Sequence, residues 1–236
     1  MRNPKIIYVL ILFTTILFSE NLPLSAKQIQ GKLSNLNGAS AECVMHYFYT
    51  STGWTQIEGE VGRNGIDGLY YKKKKGIVKE VLVAESKWNK SKLGKSGKNK
   101  LIKQMSQEWV LNTLQRLQKY KPLPEYSSIV KLVQKGQYRA RLFRMYPRKQ
   151  NQIQIQIYKI KNKGISSFDL RIENTLPPIS MTKHKNKFEL KVIEAYNRCR
   201  TKYLHRYFPI LSDKNVELLL NDNYLQTKDL MYIQTD

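Results

Sequence analysis

Apolar residues recur along this chain with a period that switches between the two of a strand and the three to four of a helix. Over residues 34–50, Leu36, Cys43, Tyr47 and Phe48 form one stripe of a helix, with Ser34 or Asn37 as its cap. Residues 54–57 read as a short strand after the Ser51-Thr52-Gly53 turn. Residues 66–71 and 78–84 are two apolar, β-prone runs, and the Lys-Lys-Lys-Lys-Gly stretch between them predicts a hairpin. The helical period returns over 104–120, where Met105, Trp109, Thr113 and Leu117 share a face widened by Val110 and Leu114; Pro122 and Pro124 end it. Residues 137–146 and 152–160 alternate on either side of 147–150, a second hairpin expected to extend the same sheet. Its first strand carries Arg139, Arg141 and Arg144, and its second is lined by Ile153, Ile155, Ile157 and Ile160. Another strand is expected over 167–172, and residues 187–207 read as a very basic helix with Phe188, Val192, Ala195, Cys199 and Tyr203 on one stripe. Ser212 would cap a last short helix reaching Leu220. These elements predict an α/β protein with a mixed sheet, in helix–hairpin–helix order, followed by a basic C-terminal extension.

Ahead of this pattern, residues 6–18 form an apolar run behind Arg2 and Lys5, and Ser25-Ala26 offers small residues for a cut. That is the layout of a secretory signal peptide over 1–26, and the run is short for a membrane span. An uncleaved N-terminal anchor fits the same charges and apolar run. The expected product is a secreted or periplasmic protein beginning near Lys27 with no stable membrane span, a core over 27–165, and a helical extension over 166–236 packed on that core.

The first hairpin carries the candidate chemistry. With its centre near Gly76, Asp67 falls opposite Glu85, and residues two apart on a strand share a face. Asp67, Glu85 and Lys87 therefore converge on one side of the open end. Leu69, Val81 and Val83 lie on that side, and Ile66, Tyr70, Leu82 and Ala84 on the other. A hairpin apolar on both faces sets these charges against packed structure, a placement that favours metal binding or chemistry.

Gly65-Ile66-Asp67, the apolar run Val81-Leu82-Val83-Ala84 and the triplet Glu85-Ser86-Lys87 resemble the signature of the PD-(D/E)XK nuclease superfamily, the restriction-endonuclease-like fold. In that family an Asp opens one hairpin strand and an acid-x-Lys triplet closes the next. Glu42 on the preceding helix and Gln104 on the following one fit the positions of its accessory residues. The segment 62–109 is most similar to toxin-type nucleases carried by bacterial secretion systems, and the resemblance spans roughly residues 34–120. It implies a metal-dependent endonuclease cleaving phosphodiester bonds, of DNA in preference to RNA. It implies that Asp67 and Glu85 hold Mg²⁺, for which Mn²⁺ would substitute, with Glu42 as a further ligand. It implies that Lys87 orients water or stabilises the transition state and that Gln104 steadies the nucleophile or the phosphate. A cognate inhibitor protein is a partner consistent with a toxin of this kind.

Charge adds a partner class. The 236 residues hold 41 Lys+Arg against 18 Asp+Glu, a formal charge of +23, which suits nucleic acid, an anionic membrane surface or an acidic partner. A Lys-, Asn- and Ile-rich composition contributes to the bias. Six lysines, Lys90, Lys92, Lys95, Lys98, Lys100 and Lys103, follow Lys87 with no acid among them, and Gly94 and Gly97 keep the stretch loose. It reads as a mobile loop on the rim of the site that neutralises phosphates. Gly94-Lys95-Ser96 is not a phosphate-binding P-loop, because Asn89 stands where that pattern needs glycine. Glu58 and Glu60 read as surface carboxylates, with a role as accessory ligand open to either. Cys43 and Cys199 could pair in an exported chain, and reduced core cysteines are as ordinary on such stripes. His46, His184 and His205 lie at no recognisable catalytic or zinc spacing. A non-catalytic exported protein that binds nucleic acid or an envelope surface would need only the lysines, with Asp67, Glu85 and Lys87 as a buried salt-bridged cluster.

Overall fold

Lys75 and Gly76 both take positive φ, 53° and 78°. This is the two-residue turn whose twist matches that of a β-hairpin, and it requires a residue tolerant of the left-handed region. The computed structural model describes residues 26–57, 65–96, 101–163 and 167–208. In it the turn joins β2 (Gly68–Lys74) to β3 (Ile77–Trp88). The lysine run is therefore mostly strand, with Lys75-Gly76 alone at the tip. Leu69 opposes Val83 and Gly68 opposes Ala84, with one register shift between Lys72 and Lys73. β1 (Thr55–Ile57), the short strand expected over 54–57, pairs antiparallel with β2.

β6 (Arg139–Arg148) lies parallel to β3, with Lys87 opposite Arg144. A parallel neighbour needs a crossover. Here it contains the short strands β4 (Lys95–Ser96) and β5 (Ile102–Lys103) and the helices α2 (Gln107–Tyr120) and α3 (Glu125–Gln134). β7 (Gln152–Lys163) and β8 (Ser167–Thr175) follow antiparallel, and β9 (Ile179–Ser180) pairs with the start of β7. The sheet order is β1-β2-β3-β6-β7-β8, seven strands with β9 among the described residues. The strand expected over 167–172 is present and runs to Thr175, so the sheet continues past residue 165 and the helical part of the C-terminal region begins at Lys187.

Two apolar clusters cover the two faces. On one face, α1 (Ala26–Ser51) and α4 (Lys187–Tyr207) pack on Tyr70, Leu82, Ala84 and Phe143 through Val44, Met45, Val192 and Tyr196. On the other, α2 and α3 bury Trp109, Leu114, Tyr126 and Ile129 against Leu69, Val81, Val83 and Leu142. The alternation predicted for the hairpin holds except at Ile66. Ile66 precedes the paired part of β2, is free of the strand's two-residue period, and packs with the α2–α3 cluster.

Several elements differ from the sequence pattern for physical reasons. α1 starts at Ala26, so Ser34 and Asn37 are interior rather than caps. Asn37 instead accepts hydrogen bonds from Tyr196 (2.9 Å) and Arg200 (3.1 Å) of α4. The second hairpin turns at Gln150 and Asn151, both at positive φ, and Pro147 lies in β6. Ile160 lies three residues after Ile157, so the two-residue period of β7 puts it on the opposite, α2–α3 face from Ile153, Ile155 and Ile157. α3, with Tyr126, Ile129 and Val133 buried, is a helix that the sequence pattern does not predict. α4 has the bounds expected, fixed by Asn186, which caps Glu189 N at 2.9 Å, while Glu189 accepts from Lys185 N at 2.7 Å. Cys43 and Cys199 form a disulfide that ties α1 to α4. The expected signal peptide, Glu58, Glu60, Lys98, Lys100 and the helix over 212–220 lie outside the described residues. Among those described, no helix is long and apolar enough to cross a membrane.

Candidate active site

The residues at the open end of the β2–β3 hairpin are brought together by its register, which the shift between Lys72 and Lys73 sets. Gly68 opposes Ala84, so the chain continues in both directions to Asp67 and Glu85. Space is tight there: a Cβ on Gly68 would lie 2.6 Å from the buried Tyr70 ring and displace it where the chain leaves Asp67. Asp67 is fixed by the backbone of the opposite strand, its Oδ2 accepting from Ser86 N at 2.9 Å. Glu85 is buried, and its Oε1 accepts from Lys87 Nζ at 2.5 Å and from Gln104 Nε2 at 2.5 Å. Glu85 Oε2 is buried and meets no protein donor.

The sequence pattern places Gln104 in the first turn of the helix after the hairpin. That helix instead begins at Gln107 behind the cap Ser106, and Gln104 sits on the turn that follows β5. The stretch expected to be a loose loop forms the short β4–β5 pair, with Lys95 opposite Lys103. This pair locks Gln104, whose N donates to Gly94 O (2.9 Å) and whose Oε1 accepts from Gly94 N (2.9 Å). The Gln104 amide is thereby left with its nitrogen toward Glu85.

The cluster lines a cavity of about 720 Å³. Glu42 of α1 lines it too and is close enough to add to the field on Lys87. Glu42 does not join Asp67 and Glu85 in one ligand set, since among the described residues no three His, Cys, Asp or Glu side chains come close enough to hold an ion together. Of the lysines assigned to phosphate binding, Lys92 and Lys95 line the cavity. Lys103 points elsewhere, its Nζ 4.1 Å from the centre of the Phe168 ring. Lys90 is exposed on the turn after β3, away from the lining. Trp109 is core, as expected, with one edge on the cavity. His46 is structural: its Nδ1 is 2.6 Å from Tyr70 Oη under the Asp67 strand. Sequence reasoning missed Tyr203, Arg206 and Tyr207, which line the cavity from the end of α4.

The electrostatics are those of two acids with too little positive charge. Burial, reinforced by the charge of Asp67, pushes the Glu85 carboxyl well above the ordinary carboxylate range despite Lys87. Burial also raises Asp67, against the pull of Lys87 and the Ser86 N–H. Burial alone would lower Lys87, but Glu85 and Asp67 outweigh it and hold its ammonium above the usual lysine value. A folded state whose carboxyls titrate high keeps protons that the unfolded chain releases, so stability falls as pH rises from the ordinary carboxylate range toward the folded values. Each proton so retained changes stability by about 1.4 kcal/mol per pH unit. In EDTA, the thermal midpoint of the wild-type chain should therefore fall, relative to that of Glu85→Gln, as pH rises above the ordinary carboxylate range. Parallel profiles for the two proteins, measured by scanning calorimetry, would show that Glu85 carries no such penalty. Comparison with family models, with curated proteins and with solved structures returns no match.

Proposed function

We propose that the chain is a divalent-metal-dependent nuclease of the restriction-endonuclease-like kind, acting on phosphodiester bonds after export. The observation that carries this is the convergence of Asp67, Glu85, Lys87 and Gln104 at one end of a central strand, inside a cavity, on a chain of formal charge +23. The donor set fits a hard cation. The buried carboxylate of Glu85 and the half-buried one of Asp67 crowd each other, one buried oxygen of Glu85 has no protein donor, and Mg²⁺ takes few carboxylates and keeps its waters. Asp67 and Glu85 would hold the ion, and Glu42 adds a further negative charge on the cavity wall.

When bound, such an ion lowers the pKa of a water and neutralises charge on the scissile phosphate. The chain's own residues do the rest. Ser86 N–H fixes the Asp67 carboxylate, and Gln104, pinned by Gly94, fixes Glu85. Lys87, kept protonated by its acidic neighbours, presents a cation where charge develops on the phosphoryl oxygens. Lys92 and Lys95 draw the polyanion to the mouth of the cavity.

The test is incubation of the purified chain with plasmid, single-stranded DNA and RNA, with Mg²⁺ or Mn²⁺ and with EDTA. Cleavage with metal and none in EDTA is expected. Expression of residues 27–236 in a bacterial cytoplasm should arrest growth, and the Asp67→Ala form at matched level should not. Binding without cleavage of any substrate would leave a basic nucleic-acid-binding protein with a buried ion-pair cluster. Cleavage that persists in EDTA would remove the metal from the account.

A further inference from the structure

The cavity that holds the two carboxylates has a second wall that the proposed chemistry leaves unused. Tyr203, Arg206 and Tyr207 line it from the last two turns of α4. Their spacing places them on one helical face, with the two tyrosines half-buried and Arg206 exposed. Gly38 of α1 also lines the cavity, and a Cβ built on it would meet nothing within 4 Å. The space beside α1 is therefore open to the cavity. The two helices are held in fixed relation by the Cys43–Cys199 disulfide and by Asn37, which bonds Tyr196 and Arg200.

We infer that this wall is a subsite for an unpaired nucleotide, which makes the substrate a single-stranded polynucleotide. Cleavage of the bound strand rests on the nuclease proposal, whereas the binding itself needs only the wall. In a duplex the base faces are covered by their stacked neighbours, and a protein meets mostly phosphates and groove edges. In a single strand the faces are free, and every base offers one to an aromatic ring. A cavity of about 720 Å³ is the size of a small-molecule site and takes one or two nucleotides rather than a helix. Tyr203 and Tyr207 supply rings for a base. Arg206 supplies a planar donor fork for the adjoining phosphate. Asp67, Glu85 and Lys87 line the same cavity, so a nucleotide held on the α4 wall presents its phosphate toward them.

The experiment is fluorescence anisotropy of the full chain, disulfide intact, in EDTA, with labelled single-stranded DNA, single-stranded RNA of the same sequence, and a duplex of the DNA. Single strands should bind at least about tenfold more tightly than duplex. Tyr203→Ala and Tyr207→Ala should each weaken single-strand binding by about tenfold, within the range for loss of one base–aromatic stack. Tyr203→Phe and Tyr207→Phe should bind as the wild type does. Gly38→Leu, which fills the slot from the opposite helix, should weaken binding without touching a tyrosine. Duplex bound as tightly as single strands, or alanine variants within twofold of wild type, would overturn the subsite. The two proposals fail separately. Tyrosine-dependent single-strand binding with no cleavage in Mg²⁺ removes the nuclease and keeps the subsite; duplex cleavage indifferent to Tyr203→Ala does the reverse.

Discussion

Glu85→Gln is expected to lower the Mg²⁺-dependent cleavage rate by about a thousandfold or more, at unchanged circular dichroism. The substitution keeps the volume of the side chain and an oxygen to accept from Lys87 and Gln104. It removes one of the two charges that the cavity can direct at a cation, and with it the reason for the oxygen that meets no protein donor. Asp67→Ala and Lys87→Ala should cost about as much each, and the triple variant little more, because groups acting as one unit are not additive. Gln104→Ala should cost less, since it acts through Glu85. Initial rates on a plasmid and on an oligonucleotide, at saturating and at limiting Mg²⁺, check the set. A Glu85→Gln protein within tenfold of wild type would sink the assignment of the cluster.

Reduction of the Cys43–Cys199 bond is expected to lower the thermal midpoint by about 10–20 °C. The bond closes a loop with a sequence separation of 156. In the chain-entropy model, a loop of that length restricts the unfolded chain by about 5 kcal/mol. For a protein of this size each kcal/mol moves the midpoint by about 2–4 °C. Calorimetry with and without reductant checks it, and the Cys43→Ala/Cys199→Ala protein should melt low and ignore reductant. A shift of only about two degrees would mean that packing of α1 on α4, through Tyr196, Arg200 and Asn37, already holds the two helices together.

The hairpin was legible because both of its signals are local. Residues 66–71 and 78–84 are separated by a lysine run with one glycine, and a centre near Gly76 places Asp67 beside Glu85; from the Lys75-Gly76 turn itself, the register shift between Lys72 and Lys73 is what sets that pairing. α4 was legible for the same reason, its apolar stripe being written within one segment. What could not be read is what depends on distant partners. The parallel pairing of β3 with β6 has no signature in either strand. The β4–β5 pair is too short to announce itself among glycines and lysines, and it decides where Gln104 points. Cys43 and Cys199 sit on apolar stripes that suit a thiol or a disulfide, and only the packing of α1 on α4 brings them together, Cα to Cα 6.3 Å. Tyr203 and Tyr207 continue the stripe of α4, so by period alone they read as core.

The pairing of β3 with β6 also sets the order of events as the chain is made. Glu85 and Lys87 lie on a strand whose second neighbour comes only after the whole crossover, since Arg139 is the residue opposite Leu82. Until that neighbour arrives, β3 is an open edge, apolar on both sides through Val81-Leu82-Val83-Ala84. Non-local pairing of this kind is slow to form. A partly synthesised chain therefore holds every acid of the cluster before it holds the wall of the cavity that α4 supplies. The cavity is completed last, when α4 packs on α1, and a chain halted early exposes a sticky strand edge instead.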